Sequence, residues 1–439
     1  MSVVVMKFGG TSVADAEKIR SAAKRAIRTQ KQGHQVVMVV SAMGKTTDRL
    51  ETLADEVMRG KPAPKREMDQ LLATGEQVTI SLMAMALEEM GAPAISFTAG
   101  QIGIVTDDAH TKARIQTIDA RRIHEELRTG RIVIVAGFQG VTEEGHVTTL
   151  GRGGSNVTLV AIAASLEADV CENYTDVDGV YTADPRLVPN ARKLKQISYD
   201  EMLELSSLGA GVLHNRAVEF AKKYAIPIHV RNSQNTRKGT MIVSETESME
   251  RIVVSGAALK GHLARVTISC VPDKPGVAAR IFHTIARSKI VVDDIIQTVG
   301  EDGLATISFT VDIGDLADAK RVVNGLCAKL SGKPQAKYED HLAKVSVVGV
   351  GMRVHTGVAD RMFDALAKAK VNIQNITTSE IKISCLIDRD QGEQALRVVH
   401  DAFLLGGKTA SKTAGKKKAK KSSGKKAKQA SSRKRAARK

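Results

Sequence analysis

A chain of 439 residues with 43% hydrophobic content carries apolar material for roughly two to four domains. Aromatic residues make up 3% and Trp is absent, so the cores must be aliphatic, which suits parallel sheets covered by helices. The net charge of +17 looks like a nucleic-acid signal, but 15 Lys or Arg and no Asp or Glu fall between Lys408 and Lys439, which leaves +2 for residues 1–407. The four cysteines, Cys171, Cys270, Cys327 and Cys385, form no Cys-x-x-Cys pair and sit in apolar runs, so buried free thiols are expected. The apolar run at the start is too short for a signal peptide, and no run approaches the roughly 20 apolar residues of a membrane span. A soluble protein of the cytoplasm, with no membrane partner, is the expectation.

Val3–Met6 reads as a buried strand and Asp15–Ile19 as a helix start. Between them stands Lys7-Phe8-Gly9-Gly10-Thr11-Ser12. A lysine leaving a strand, two glycines, two hydroxyls and a helix start form a phosphate cradle. Gln35–Val40 is a second strand, followed by Ser41-Ala42-Met43-Gly44-Lys45-Thr46-Thr47-Asp48. Gly44-Lys45-Thr46 is not the end of a P-loop, because Val39 stands where that motif needs its first glycine. The spacing predicts a helix over Glu76–Met90 with Thr74-Gly75-Glu76 at its start, where Glu76 either complements the helix dipole or accepts a substrate ammonium. Strands are predicted at Ile132–Ala136 and Ala168–Cys171, with an apolar helix at Leu159–Ser165 between them. Arg152, in the run Thr148–Asn156, lies among glycines and suits bidentate binding of a carboxylate or phosphate. The turn-rich run Tyr174–Arg186 suits a nucleotide pocket with a metal nearby. This alternation predicts an α/β domain over 1–245, a mainly parallel sheet with helices on both faces and ligands at the strands' carboxyl ends.

Residues 251–404 change pattern. A strand at Arg265–Val271, a helix at Val277–Arg287, strands at Val291–Val299 and Ala305–Val311, a helix at Asp315–Leu330 and a strand near Ala336–Tyr338 make a split βαβ unit over 263–340. A second copy runs through Lys344–Val350, Gly357–Lys368, Asn372–Thr378, Lys382–Ile387 and Gly392–Leu404 but lacks a closing strand. The unassigned strand Arg251–Leu259 is expected to complete it, so that 251–260 and 341–405 form one unit with the first inserted into it. Residues 408–439 have no apolar periodicity and are expected to be disordered.

Taken in order, Lys7–Ser12, Ser41–Gly44, Thr46–Asp48, Gly75–Glu76, Val135–Gly140, Thr148–Ser155 and Thr175–Arg186 resemble the motifs of the aspartate kinase family, and the repeat at 251–404 resembles its paired ACT domains. The resemblance implies a three-layer αβα amino-acid kinase domain followed by two α+β ferredoxin-like ACT domains. It implies transfer of the γ-phosphoryl of ATP, with Mg2+, to the β-carboxylate of L-aspartate, the entry to lysine, threonine and methionine synthesis. Lys7 would stabilise the transferring group. Arg152 would hold the α-carboxylate and Glu76 the α-ammonium, with Ser41, Thr47 and Ser155 completing the aspartate site. Gly9, Gly10 and Ser12 would line phosphates; Thr175, Asp176, Tyr181 and Arg186 would shape the ATP pocket, with Arg237 or Lys238 as further phosphate candidates. No side chain is assigned as a metal ligand. Asn156 departs from the family, which usually has Asp there, and keeps the shape without the charge.

The family binds lysine or threonine between ACT units across a dimer, which implies a homo-oligomer and effector contacts at Asp273, Ala278, Asp293, Gln297, Ser379 and Glu380. Thr356 and Ala359 replace the proline and hydroxyl that the family often has at the second site. An alternative reading is a catalytically weakened amino-acid sensor of the same fold. The tail 408–439 is a candidate for binding nucleic acid or another polyanion.

Overall fold

β-Branched runs ended by glycine turns build the first half of the chain, because such side chains fit a pleated, buried surface. The computed structural model describes residues 2–209, 212–244, 253–300, 303–332 and 334–406. Up to residue 244 its strands are β1 (Val3–Phe8), β2 (Gln35–Val40), β3 (Ala94–Phe97), β4 (Ile104–Thr106), β5 (Ile115–Ile118), β6 (Ile132–Ala136), β7 (Gln139–Val141), β8 (Val147–Thr149), β9 (Val170–Thr175), β10 (Gln196–Ser198), β11 (Ile228–Asn232) and β12 (Thr240–Val243). Eight of these form one sheet in the order β10-β12-β11-β9-β1-β2-β6-β3. From β11 to β3 every pairing is parallel; β12 lies antiparallel to β11. One face, with Val5, Val37, Val39, Val133 and Cys171, packs on the helix Gly154–Ser165. The other, with Val4, Met6, Met38 and Ile134, packs on the helices Ala16–Lys31 and Thr74–Glu89. Asp15 caps the first of these by accepting the Lys18 N–H at 2.9 Å.

The helix expected over Leu159–Ser165 starts earlier, at Gly154, because the glycine-rich turn leads straight into it. Gly153 sits at φ 72, and a Cβ there would stand 2.3 Å from the His214 Cβ. The strand expected at Ala168–Cys171 is Val170–Thr175, which carries it to the loop that follows. A second sheet, β5-β4-β7-β8, has no counterpart in the sequence reading, because its three- and four-residue strands are too short to display a period.

The later strands are β13 (Gly256–Pro272), β14 (Asp293–Val299), β15 (Leu304–Asp312), β16 (Gln335–Val348), β17 (Asn375–Thr378) and β18 (Lys382–Asp388), in the order β14-β15-β13-β16-β18-β17. Two pairs of strands expected to be separate are continuous. β13 re-registers between Lys260 and Leu263 instead of stopping, with His262 at φ 59, and β16 runs from Gln335 through Val348. Gly256–Lys260 pairs with Val348–Lys344 beside β18, whereas Arg265–Ser269 pairs with Glu339–Gln335 beside β15. Residues 251 and 252, where the first strand was expected to begin, lie outside the described residues, as does the tail from 407. The helices Val277–Arg287 and Leu316–Cys327 cover one half of the sheet, and Val358–Lys368 and Gly392–Ala402 the other. Two cysteines depart from the expectation. Cys171 and Cys385 are buried, but Cys270 and Cys327 are only half-buried, Cys270 because it sits at φ 58 where β13 slips out of register with β15.

An ion cluster joins the two halves. Lys344 on β16 is buried and donates to Asp293 at 2.6 Å and to Asp294 at 2.9 Å; Asp294 also accepts from Thr377 of β17 at 3.1 Å. The Asp293 side chain is 57% exposed and that of Asp294 8%. Removing a buried partner leaves a charge uncompensated, whereas an exposed one is replaced by water. Asp294→Ala is therefore expected to destabilise the protein by about 3 kcal/mol and Asp293→Ala by about 1 kcal/mol or less. Thermal unfolding of the two variants checks this, and equal losses would contradict it.

Candidate active site

Parallel strands deliver their loops to one edge. There the Ser41 N–H donates to Phe8 O at 3.1 Å, the Gly9 N–H to Tyr174 O at 3.3 Å and the Gly137 N–H to Val40 O at 3.0 Å, so that the turns after β1, β2, β6 and β9 are stitched together. Beside them opens a cleft of ≈ 1050 Å3. Seven residues singled out in the sequence line it together: Lys7, Ser41, Thr47, Glu76, Arg152, Ser155 and Asn156.

Lys7 is the last residue but one of β1 and is buried, 8% exposed. Burial lowers its ammonium to about 8, against the attraction of Asp176, and no hydrogen bond holds it among the described residues. Glu76 lies in the first turn of the helix Thr74–Glu89, also buried. Burial raises it to about 7, opposed by the Ala42 N–H that donates to its Oε1 at 2.9 Å. Its Oε2 is buried without a partner. That helix can approach so closely because a Cβ on Gly75 would lie 2.8 Å from the Ala42 Cβ, a space only glycine leaves open. Ser41 Oγ donates to Ser155 Oγ at 2.9 Å, which ties the loop after β2 to the helix Gly154–Ser165. Arg152 is exposed on its glycine turn and makes no ion pair among the described residues. The cleft thus offers one cation below its usual range, one carboxyl above its usual range with a free oxygen, and the unpaired guanidinium of Arg152.

Gly9, Gly10, Ser12, Thr175, Asp176, Tyr181 and Arg186 do not line this cleft. Gly9 lies behind Lys7, since a Cβ there would stand 3.3 Å from the ammonium nitrogen. Gly10 packs on the Ala42 carbonyl, and the Ser12 hydroxyl is buried without a partner. Thr175 Oγ1 donates to Asp176 at 3.0 Å. Arg186 is engaged by Asp184 at 2.7 Å and Arg237 by Asp178 at 3.0 Å, so neither guanidinium is free. Lys238 offers its carbonyl to Lys193.

Sequence reasoning missed a further wall of the cleft formed by Thr111, Lys112, Arg114, His214 and Arg216. Fully buried Asp69 orders it, accepting from Thr149 Oγ1, from His110 at 2.7 Å and from the Thr111 N–H at 3.0 Å. Arg216 donates to Ala113 O at 3.0 Å and to Leu150 O. These residues belong to no local motif; a buried aspartate in the otherwise ordinary helix Lys65–Leu72 was the one signal, and it is visible only once burial is known.

Known proteins share this architecture. The amino acid kinase family model matches residues 2–232, and ACT domain models match 264–328 and 345–403. An aspartate kinase of Stutzerimonas stutzeri is 50% identical over 414 residues, covering 93% of this chain and all of its own, and aspartokinase 2 of Bacillus subtilis is 51% identical over 405, covering 92% and 98%. The chain belongs to the aspartokinase family. In three dimensions it resembles E. coli aspartokinase III in complex with aspartate and ADP, at a TM-score of 0.77 and 26% identity, covering 92% of this chain and 100% of that one. The same enzyme in complex with lysine and aspartate matches at 0.71, covering 91% and 99%.

The ACT half carries two smaller grooves at equivalent strand-to-helix turns. One is lined by Asp273, Gly276, Val277, Ala278 and Gln297 and the other by Gly357, Val358, Ala359, Ser379 and Glu380. Asp293, expected beside the first, lines neither; its carboxylate is turned onto Lys344. Glu380 pairs with Arg353 at 3.0 Å.

The raised Glu76 has a consequence for stability. A carboxyl whose folded value of about 7 lies above its ordinary 4.5 stabilises the fold fully below 4.5 and loses that contribution as pH rises through 7. The stability gained by Glu76→Gln is expected to grow by about 2 kcal/mol between pH 5 and pH 8. Denaturant unfolding at both pH values checks this; a gain independent of pH would contradict it.

Proposed function

We propose that this protein transfers the γ-phosphoryl of MgATP to the β-carboxylate of L-aspartate, giving 4-phospho-L-aspartate and ADP. The observation that carries the reading is that, among the charged groups of one cleft, Lys7 and Glu76 are buried with polar atoms lacking a protein partner and Arg152 stands unpaired beside them. They match the phosphoryl group, the α-ammonium and the α-carboxylate. The family and the aspartate and ADP complex of its E. coli member support it.

A carboxylate is already nucleophilic at neutral pH, so no general base is required. Its oxygen forms a bond to Pγ while the bond from Pγ to the bridging oxygen breaks, and ADP leaves with that electron pair. The chain's contribution is position and charge. Arg152 and Glu76 hold the amino-acid end, so that the β-carboxylate points toward Lys7. Ser41, Thr47 and Ser155 fix its orientation, and Asn156 offers an amide beside them. Lys7 neutralises charge on the moving phosphoryl. Gly9, Gly10 and Ser12 keep the turn after β1 close to the phosphates, and Thr175, Asp176, Tyr181 and Arg186 frame the nucleotide. Mg2+ enters as MgATP, which suits an ion that keeps water and phosphate ligands; among the described residues the one cluster of metal-ligand geometry, His341, Asp388 and Asp390, lies far along the chain on the ACT sheet.

We assign residues 1–245 to catalysis, 263–340 to one ACT unit, and 251–260 with 341–405 to the other. The reaction would open lysine, threonine and methionine synthesis in the cytoplasm. Lysine or threonine would bind at the Asp273–Ala278 or Ser379–Glu380 groove of a homo-oligomer joined through the ACT halves, where edge strand β14 exposes Ile295 and Val299. Unchanged rates with both amino acids added would contradict this regulation.

ADP release that depends on L-aspartate tests the activity. Lys7→Ala is expected to lower kcat by about 100- to 1,000-fold. Because the Lys7 ammonium is lost as pH rises through about 8, the wild-type rate is expected to fall above that pH. Turnover without aspartate, or a Lys7→Ala rate near wild type, would contradict the assignment.

A further inference from the structure

β1 and β9 are parallel neighbours, and Lys7 stands opposite Asn173. Side-by-side residues of a parallel pair point to the same face, with strands about 4.8 Å apart. Elsewhere that face is apolar: Val5, Val39, Cys171 and Val230 are buried against or around the helix Gly154–Ser165. Asn173 is 1% exposed, yet neither its Oδ1 nor its Nδ2 has a hydrogen-bond partner. Buried amides are normally satisfied, so an unpaired one needs an explanation. A second buried amide oxygen, Oδ1 of Asn156, is also unpaired, and Asn156 shares the cleft with Lys7. On the neighbouring strand the Lys7 ammonium is a donor without a partner; it lies by Gly9, where a Cβ would stand 3.3 Å from its nitrogen. A flexible four-carbon stem lets it reach outward past Gly9 or turn back along the sheet.

We infer that Asn173 is a positioning residue for Lys7: its carboxamide oxygen, with that of Asn156, receives the Lys7 ammonium when that side chain turns back along the sheet and releases it toward the transferring phosphoryl group. This rests on the role given to Lys7 above. Neutral acceptors satisfy the ammonium without the pull of a carboxylate, so it stays free to move. Asp176 after β9 attracts the Lys7 ammonium, and the cleft around it also holds Asp48, Glu51 and Asp55 on the helix Thr46–Met58, Glu76 on the helix Thr74–Glu89, and Lys112, Arg114, Arg152 and Arg216. None of these stands on β1 or β9.

The test uses the full chain as wild type, Asn173→Asp and Asn173→Val. Trace acetylation of Lys7 with acetic anhydride as a function of pH, read by mass spectrometry, gives its protonation midpoint without reference to turnover. Asn173→Asp is expected to raise that midpoint by about one pH unit. Asn173→Val suits the apolar surroundings and so keeps the test open if the aspartate variant fails to fold. It is expected to lower the midpoint and to cut kcat about tenfold or more, with the KM for aspartate nearly unchanged. An unmoved Lys7 midpoint and wild-type kcat in Asn173→Val would overturn the inference. A wild type without aspartate-dependent turnover would instead refute the kinase reading, while a shifted midpoint would still support the pairing of Asn173 with Lys7.

Discussion

Desolvation of two opposite charges at the carboxyl ends of parallel strands is the constraint on which the site depends. Lys7 and Glu76 are each less than a tenth exposed, and burial moves them in opposite directions, to about 8 and about 7. Neither is paired with the other or with a neighbour of opposite charge at hydrogen-bond distance, so both keep interaction capacity that a ligand can use. The sheet makes this tolerable. β1 is held on both sides by six- and five-residue parallel registers, and the helices Gly154–Ser165 and Thr74–Glu89 close over it on opposite faces. A fold with fewer apolar contacts around Lys7 would have let it turn to solvent.

The loop that follows β9 and the ACT half are physically joined. Fully buried Thr182 bonds His400 Nε2 at 3.0 Å and Leu405 O at 3.1 Å, and its own carbonyl accepts the Ala257 N–H at 2.7 Å. Nearby, Glu201 accepts from Ser255 and from the Val350 N–H at 3.1 Å, Lys382 pairs with Glu204 at 2.8 Å, and Arg397 donates to Leu187 O at 2.8 Å. The helix Gly392–Ala402 is thus in direct contact with the loop that follows β9.

Much of this was legible because local chemistry and long-range geometry coincide in the glycine motifs. The strand-lysine-glycine run at Lys7 and the glycine-arginine turn at Arg152 each announce a backbone that must approach a ligand, and both reach the cleft. What stayed hidden depends on contacts distant in sequence. The Asp69 cluster needs Thr111 and Thr149 brought onto one helix by the small sheet β5-β4-β7-β8. Asp293 was an effector candidate through the family resemblance, on the strand beside the first ACT turn, but the partner that claims it, Lys344, lies on another strand. Asn173 gave no signal, since a single polar residue in an apolar strand is unremarkable until its neighbours are known.

Proton release on substrate binding tests the central claim most directly. At pH 7 a Glu76 that titrates at about 7 is half-protonated in the free protein, and an ammonium seated against it drives ionisation. Calorimetric titration of L-aspartate into the protein at pH 7, in buffers of different ionisation enthalpy, is expected to release about half a proton per site, and none in Glu76→Gln. Aspartate binding without proton release in the wild type would contradict the account.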